Sequence, residues 1–263
     1  MATMAVRSYF SYWMLPVLSS LVWFGMLLGM LLYWLIDSHS SVYPSMSPDQ
    51  TIAYISDVGA QELKPLFIAG SAITTLTLDL SFFSELWLRH NGRLVSNSST
   101  GEKILVLLSI FFAIVGTCGL ILLSVFDTLR YPRLHVLFLL LFILGYLFSA
   151  IFICWEYQRL GIKHRQHRAL RASFWLKLAF ILVEFALSLV FAGSMLAGNP
   201  NVAAGFEWTI AFIFTFYILS FVIDLLPAIR TRDPRNRFGR PSDTEVANVQ
   251  NSRELEAATR GFQ

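Results

Sequence analysis

The chain has 263 residues, of which 56% are hydrophobic and 14% are charged, and its mean hydropathy is +0.60. A soluble domain is typically about 45–50% apolar and about 25% charged, so 23 Phe and 7 Trp residues could not all be buried in one soluble globule of this size. The same hydrophobicity excludes a disordered chain, and the net charge of +3 matters less than where the charges fall. The composition predicts a polytopic membrane protein, for which we expect no nucleic-acid partner.

Six stretches of 20 to 24 residues are apolar enough to cross a bilayer. A spanning helix needs about 20 mostly apolar residues, and none of the six alternates between apolar and polar residues as a membrane β-strand does. Backbone groups in hydrocarbon must be satisfied internally, so the sequence predicts an all-α membrane protein, a six-helix bundle. We expect one membrane domain over residues 1–230 and a polar, disordered cytoplasmic tail over 231–263. The predicted spans are 13–36, 65–88, 104–126, 134–155, 174–196 and 207–226.

The basic residues are divided unequally between the two ends of this bundle. Sixteen Lys and Arg residues lie at the end with both termini, whereas Lys64, Arg130 and Arg133 lie at the other end. An excess of Lys and Arg is typical of cytoplasmic loops, so we expect both termini in the cytoplasm. Asn97 begins an Asn-Ser-Ser glycosylation sequon, which this orientation would place in the cytosol, where it cannot be used.

The long loop after the first span contains a short polar motif, formed by Ile55, Ser56, Asp57 and Gly59. Ser or Asp can cap a short helix, and Gly59 can take a turn conformation that other residues avoid. One interpretation is therefore a capped turn that seats the loop on the bundle. The other is a recognition surface at the outer leaflet, with Asp57 facing a lipid headgroup or a protein partner.

The second external segment is a tight turn that runs from Asp127 to His135 and contains two Arg residues. This combination could hold a phosphate, or it could form an ion-pair network that closes the third and fourth helices. Asp57, Asp127 and His135 could act as a general acid/base group only if the fold brings them together. The sequence has no recognisable Ser-His-Asp spacing, no His-Glu-x-x-His motif and no Gly-rich phosphate loop. We therefore expect no catalysis, no cofactor and no metal site.

Two basic clusters lie on the expected cytoplasmic side. Basic residues next to a membrane attract anionic lipid at about 1 kcal/mol each when they lie close to its surface. The clusters either only set the topology or also bind anionic phosphoinositides or phosphatidylserine. Their ten members are Arg159, Lys163, Arg165, Arg168, Arg171, Arg230, Arg232, Arg235, Arg237 and Arg240.

Two acids, Asp79 and Glu184, are predicted near the middle of the bilayer, about 13 Å and 15 Å deep at 1.5 Å per residue. An ionisable group at this depth indicates a functional site by default. The two carboxyls could be protonated and bridge helices, they could carry protons in a transport cycle, or they could line a groove that receives an amine headgroup. For the first alternative, the nearby hydroxyls of Thr74, Thr75 and Thr77 could bond to Asp79.

Other residues in the predicted spans have expected structural roles. Lys177 should extend to the cytoplasmic interface. The small-residue pairs Gly25/Gly29 and Gly145/Ser149 should let helices approach closely. Three acids lie near span ends and could reach water, namely Glu85, Glu207 and Asp224.

Several segments resemble the Frag/DRAM/Sfk family of membrane proteins. The resemblance lies in the six spans, in Ile55–Gly59 and in the turn from Asp127 to His135. Residues 63–70 and 156–161 resemble the fungal Sfk branch most closely, and the similar region covers about residues 12–230. Ala53 stands where animal DRAM-type members usually have proline, which argues against the DRAM branch.

The resemblance implies a plasma-membrane protein without established enzymatic activity, with the Golgi or the endoplasmic reticulum as the second location. Members of the Sfk branch are linked to the phosphatidylinositol 4-kinase complex, to phosphoinositide signalling and to lipid asymmetry, and another branch acts in remodelling the lipid of GPI anchors. We expect a regulator that helps recruit or stabilise such a kinase complex through the two basic clusters. The alternative is a lipid-handling protein, a lipid transporter or GPI-lipid remodelling factor, with an intramembrane groove near Asp79 and Glu184.

Overall fold

The computed structural model describes residues 11–95, 99–163 and 168–231, in which six long helices dominate. All six are long and apolar enough to cross a membrane, so the predicted all-α, six-span fold is confirmed. Helix α1 continues into a π-helical turn over Tyr33–Asp37, and two short helices, Ile55–Val58 and Pro227–Arg230, lie outside the six. The long helices are α1 Met14–Leu32, α2 Lys64–His90, α3 Thr100–Val125, α4 Pro132–Lys163, α5 Arg168–Leu196 and α6 Pro200–Leu225.

The helix ends follow local chemistry. The Glu102 side chain accepts a hydrogen bond from the Ser99 backbone N–H at 3.1 Å, which caps the start of α3. Gly198 joins α5 to α6 with a φ of +71°, a conformation that suits glycine. Helix α4 runs to Lys163, past the predicted end at 155, because Glu156, Tyr157 and Leu160 are still buried against the bundle.

Six crossings give the bundle two distinct ends. We call the end with the start of α1, the α2–α3 and α4–α5 connections and the end of α6 the terminal face. The opposite end, which we call the loop face, has residues 38–63, 126–131 and 197–199. Each functional residue below is placed relative to these two faces.

The six helices form a closed ring. Each helix packs on its neighbours in the chain, and α1 packs on α6 to close the ring. The interior is rich in aromatic side chains from α6, where Phe214 makes ring contacts with Trp23 and Tyr146 at 5.9 Å and 5.5 Å between centroids. Helix α5 is the most peripheral, because only 6% of its spanning segment is buried, compared with 50% for α2, α3 and α6.

The closest helix contact joins α3 to α4 through glycines. A Cβ atom on Gly145 would lie 2.5 Å from the backbone nitrogen of Gly116, and one on Gly119 would lie 2.5 Å from that of Phe142. The predicted close approach at Gly145 is therefore confirmed. The same prediction for Gly25 and Gly29 is wrong, because a Cβ on Gly25 meets nothing within 4 Å and one on Gly29 meets only a leucine side chain at 4.0 Å.

Candidate functional site

Asp57 lies inside the long loop of the loop face, where only 2% of its surface is exposed. Its carboxylate accepts hydrogen bonds from the Ser45 hydroxyl at 2.6 Å, the Gln50 amide at 3.0 Å and the Tyr54 backbone N–H at 3.0 Å. This arrangement corresponds to the capped turn among the two interpretations of the motif. The carboxylate is turned into the loop, so it does not face a lipid headgroup.

Gly59 ends the motif where the loop meets α2. The turn conformation predicted for it is wrong, because its φ of −70° and ψ of −10° are ordinary helical values. A Cβ atom at Gly59 would lie 2.5 Å from the ring of Phe67, so glycine lets the chain pass close to this side chain. Ser56 is half-buried in the same turn, and Ile55 is buried. The motif therefore seats the loop against the bundle.

The segment of residues 51–58, which we call the loop cap, is fastened to α6. Asn201 accepts hydrogen bonds from the backbone N–H groups of Thr51 and Ile52 at 2.6 Å and 2.9 Å. Further along α6, Trp208 donates from its indole nitrogen to the Ala53 carbonyl at 2.9 Å, and Glu207 accepts from the Ile55 N–H at 2.9 Å. Glu207, which the sequence places near a span end, is half-buried, and its carboxyl bonds to the loop cap.

The pKa of Tyr54, the tyrosine of the loop cap, is raised by its surroundings. Burial, together with the negative fields of Glu207 and Asp57, raises the pKa of Tyr54 to about 12. Tyr54 therefore keeps its phenolic proton throughout the physiological range.

Asp127 forms an ion-pair network at the other loop-face connection. Lys64 from the start of α2 approaches its carboxylate at 2.5 Å, and the Arg130 guanidinium approaches it at 3.0 Å. Burial raises the pKa of Asp127, but the hydrogen bonds and charges of Lys64 and Arg130 outweigh this effect and leave the pKa below its ordinary value. The network ties α2 to the α3–α4 turn, so it corresponds to the structural interpretation of this segment.

His135 is buried in the first turn of α4, and its ring contacts backbone carbonyl groups. Its Nδ1 lies 3.0 Å from the Phe126 carbonyl and 3.2 Å from the Leu123 carbonyl. In the part of the chain that the structure describes, no hydrogen bond joins His135 to Asp57 or Asp127. The charges of both carboxylates act on the His135 ring, but each of the three side chains is hydrogen-bonded to other groups, so no direct acid/base pair is formed among them.

An apolar cavity of about 140 Å³ lies inside the ring, and residues from all six long helices line it. Ile55 of the loop cap lines its loop-face end, and Tyr217 lines it towards the terminal face. The carboxyls of Glu184 and Glu207 interrupt a wall that is otherwise mainly aromatic and aliphatic. Glu184 contributes a buried Oε1 atom that has no hydrogen-bond partner among the described residues.

Asp79 is close to this cavity but does not line it. The Thr117 hydroxyl donates to its Oδ2 at 2.8 Å and also lies 2.9 Å from the hydroxyl of Tyr146, which does line the cavity. The predicted groove therefore reaches Glu184 directly and Asp79 only through two hydroxyl groups. The expected local partners of Asp79 are wrong. Thr75 and Thr77 donate to backbone carbonyls of their own helix, and the Thr74 hydroxyl has no hydrogen-bond partner among the described residues.

A cluster of buried charges lies nearer the terminal face, where Arg89 bridges two acids. Its guanidinium donates to Glu85 at 2.6 Å and lies 3.5 Å from Glu156, and the Tyr157 hydroxyl donates to the same Glu85 oxygen at 2.5 Å. Arg89 also donates to the Val95 carbonyl at 3.0 Å. Glu85 is therefore enclosed between α2 and α4, and the expectation that it reaches water is wrong.

Lys177 and Asp224 form the second part of this terminal-face charge cluster. Lys177 is 1% exposed, makes an ion pair with Asp224 and donates to Ser173 at 2.8 Å. Its ammonium also lies 4.2 Å from the ring centroid of Phe221. The expectations that Lys177 extends to the interface and that Asp224 reaches water are both wrong, because an ion pair between α5 and α6 offsets the cost of desolvating each charge.

Part of the first basic cluster is exposed on the terminal face. The exposed side chains are those of Arg159, Lys163 and Arg171. The Arg159 guanidinium lies 5.6 Å from the centroid of the Trp155 ring. The Lys163 ammonium lies 3.9 Å from the Glu102 carboxylate. Arg168 begins α5 and Arg230 ends the final short helix. The remaining members lie outside the described residues, namely Arg165, Arg232, Arg235, Arg237 and Arg240.

Comparisons with known proteins agree with this architecture. Residues 11–228 match the family model described as Frag1/DRAM/Sfk1/Cwh43P N-terminal domain. Protein sfk1 of Schizosaccharomyces pombe is 28% identical over 223 residues, which cover 84% of this chain and 65% of that protein. Protein SFK1 of Saccharomyces cerevisiae is 27% identical over 173 residues, which cover 56% of this chain and 49% of that protein.

The aligned region thus spans about two thirds of one relative and about half of the other. No solved structure matches the chain. The family model, in contrast, covers all six spanning helices. The chain therefore belongs to the Frag1/DRAM/Sfk1/Cwh43 family of multi-pass membrane proteins.

Proposed function

We propose that this protein is a non-catalytic regulator of phosphoinositide signalling and lipid organisation at the plasma membrane. In this proposal both termini are cytoplasmic, and the terminal face helps recruit or stabilise a phosphatidylinositol 4-kinase complex. The observation that carries the proposal is the set of exposed basic side chains on the terminal face, Arg159, Lys163 and Arg171. Such residues attract anionic lipid and acidic partners within about 10 Å of the surface.

The proposal is tested by neutralising these three side chains together, as Arg159→Gln, Lys163→Gln and Arg171→Gln. We expect less phosphatidylinositol 4-phosphate and less kinase at the plasma membrane, in cells where this variant replaces the native protein. Arg133→Gln is the matched control, because Arg133 is an exposed basic residue on the loop face. Unchanged lipid and kinase levels at normal expression of the triple variant would contradict the proposal.

A second candidate is a lipid-handling protein that moves lipid between leaflets or takes part in GPI-lipid remodelling. The cavity favours it, because Glu184 places an unpartnered carboxyl oxygen at a mainly apolar site within the bundle. Glu184→Gln should then slow transbilayer movement of fluorescent lipids in vesicles that contain the purified protein. Asp49→Ala, at an exposed carboxyl of the loop, is the control and should leave the rate unchanged. Equal rates for both variants would count against this candidate.

A further inference from the structure

The cavity presents hydrogen-bond acceptors but no cation to a ligand. Of its two carboxyls, Glu207 already accepts a hydrogen bond from the loop cap, whereas Oε1 of Glu184 is buried and has no partner within the described ranges. Among the described residues, no Lys, Arg or His lines the cavity. A ligand that satisfies Glu184 must therefore bring a donor of its own.

The same charge pattern excludes most phospholipid headgroups. A phosphate in the cavity would face two carboxyls in an apolar medium without a cationic partner from the wall. Burying a phosphate charge that no cation of the wall can pair is costly in such an apolar site. The ligand should therefore lack phosphate, and its polar end should be a hydroxyl or an amine.

The dimensions of the cavity suit a segment of one hydrocarbon chain rather than a whole lipid. Its lining runs along α6 from Glu207 to Tyr217, ten residues apart, which corresponds to about 15 Å along the helix axis. This length is about half of a hydrocarbon core that is about 30 Å thick. The volume of about 140 Å³ is similar to that of engineered apolar cavities, about 150 Å³, that bind small hydrophobic molecules.

The outer wall offers a route of entry from the bilayer. Phe185 on α5 lines the cavity and keeps 46% of its surface exposed, so it does not pack closely against the neighbouring helices. Helix α5 is the most peripheral helix, and its contact with α4 is less extensive than its contact with α6. A lipid chain can therefore reach the cavity sideways, between α4 and α5.

We propose that this cavity binds a membrane lipid without phosphate, whose hydroxyl or amine end donates a hydrogen bond to Glu184 and whose chain enters between α4 and α5. This inference rests on the lipid-handling candidate and specifies its ligand. It assigns Glu184 as a binding residue and leaves Asp79 outside the contact surface.

The test uses the purified full-length protein in lipid nanodiscs with four photoreactive lipids that share one diazirine-labelled chain. The four are a diacylglycerol, a sphingoid base, a phosphatidylcholine and a phosphatidic acid. We expect labelling of peptides from α4, α5 and α6 by the first two, and about tenfold less by the two phospholipids. Glu184→Leu should reduce the labelling about tenfold because it removes the acceptor. Val183→Leu, at the neighbouring lipid-facing position, should not change it.

Two further variants separate the alternatives. Glu184→Gln keeps an acceptor without a charge, so it should retain labelling by the hydroxyl lipid and lose labelling by the amine lipid if an ammonium group is bound. Ser188→Phe fills the cavity while Glu184 remains, so it should abolish labelling by both lipids even if Glu184→Leu fails to fold. Equal labelling by all four lipids would support lipid handling but overturn this inference. Absence of cavity labelling by any of them would overturn both.

Discussion

Asp57 holds together three parts of the loop between α1 and α2. It accepts hydrogen bonds from Ser45, Gln50 and the backbone of Tyr54, and it is almost completely buried. A buried carboxylate with three donors is costly to remove, since each donor then loses its partner. At the scale of the single residue, Asp57 is therefore a structural anchor.

Asp57→Ala should lower the free energy of unfolding by about 2–4 kcal/mol, because the lost hydrogen bonds involve a charged group and buried donors. Thermal unfolding in detergent measures this loss, and limited proteolysis should show faster cleavage between residues 38 and 63. Asp49→Ala removes an exposed carboxyl of the same loop and should have little effect on either measurement. Equal effects of the two substitutions would show that Asp57 does not anchor the loop.

The sequence predicted hydrogen bonds between neighbouring residues better than contacts between residues that are far apart in the chain. The capping chemistry of Asp57 depends on neighbouring residues, so the motif indicated a capped turn as one alternative. The attachment of the loop cap to Asn201 and Trp208 joins residues about 150 positions apart, and no spacing rule reveals such a contact. The only sequence indication was the polar character of Glu207 near the start of an apolar span.

The packing of α3 on α4 depends on the missing side chains of glycines. Gly145→Ala would place a Cβ atom 2.5 Å from the Gly116 nitrogen and 2.6 Å from its Cα, and a backbone atom cannot rotate away. The two helices must separate, so we expect a loss of about 1–3 kcal/mol in thermal unfolding measurements. Gly25→Ala is the matched control, because its Cβ meets nothing and alanine favours the helix by about 0.5–1 kcal/mol. Similar destabilisation at both positions would argue against a specific close contact.

The pair of Lys177 and Asp224 connects α5, the most peripheral helix, to α6. Lys177→Met leaves Asp224 buried without its cation and should cost about 3–5 kcal/mol. The double variant Lys177→Met/Asp224→Leu should recover most of this loss, because it replaces an ion pair with apolar groups. A double-mutant cycle of unfolding free energies measures the coupling, and additive effects of the two substitutions would contradict it.

This pair also marks the limit of sequence prediction at the level of helices. Each span was predicted because length and apolarity are local properties of a helix. Counting residues along one helix, however, does not show which side chains of two helices meet. Lys177 and Asp224 are 47 positions apart, so their pairing appears only when α5 and α6 pack side by side.

At the scale of the whole molecule, the closed ring separates three environments. The loop cap and the Asp127 network lie on the loop face and tie its segments to the helices. The interior contains the cavity, which α5 helps to line. The terminal face has exposed basic side chains. The two proposed activities use different environments. A regulator would act through the terminal face and a lipid-handling protein through the cavity, so variants at Arg171 and Glu184 can separate them.

The orientation of this ring in the membrane can be tested with glycosylation sequons. The unequal distribution of Lys and Arg predicts a cytoplasmic terminal face, so the native sequon at Asn97 should receive no glycan. Asp49→Asn creates an Asn-Gln-Thr sequon at an exposed position of the loop face, and this variant should gain a mass that an endoglycosidase removes. Adding Thr51→Ala destroys the new sequon and should abolish the gain. A glycan on Asn97 of the native protein would reverse the orientation and place the basic side chains away from the phosphoinositides and their kinase.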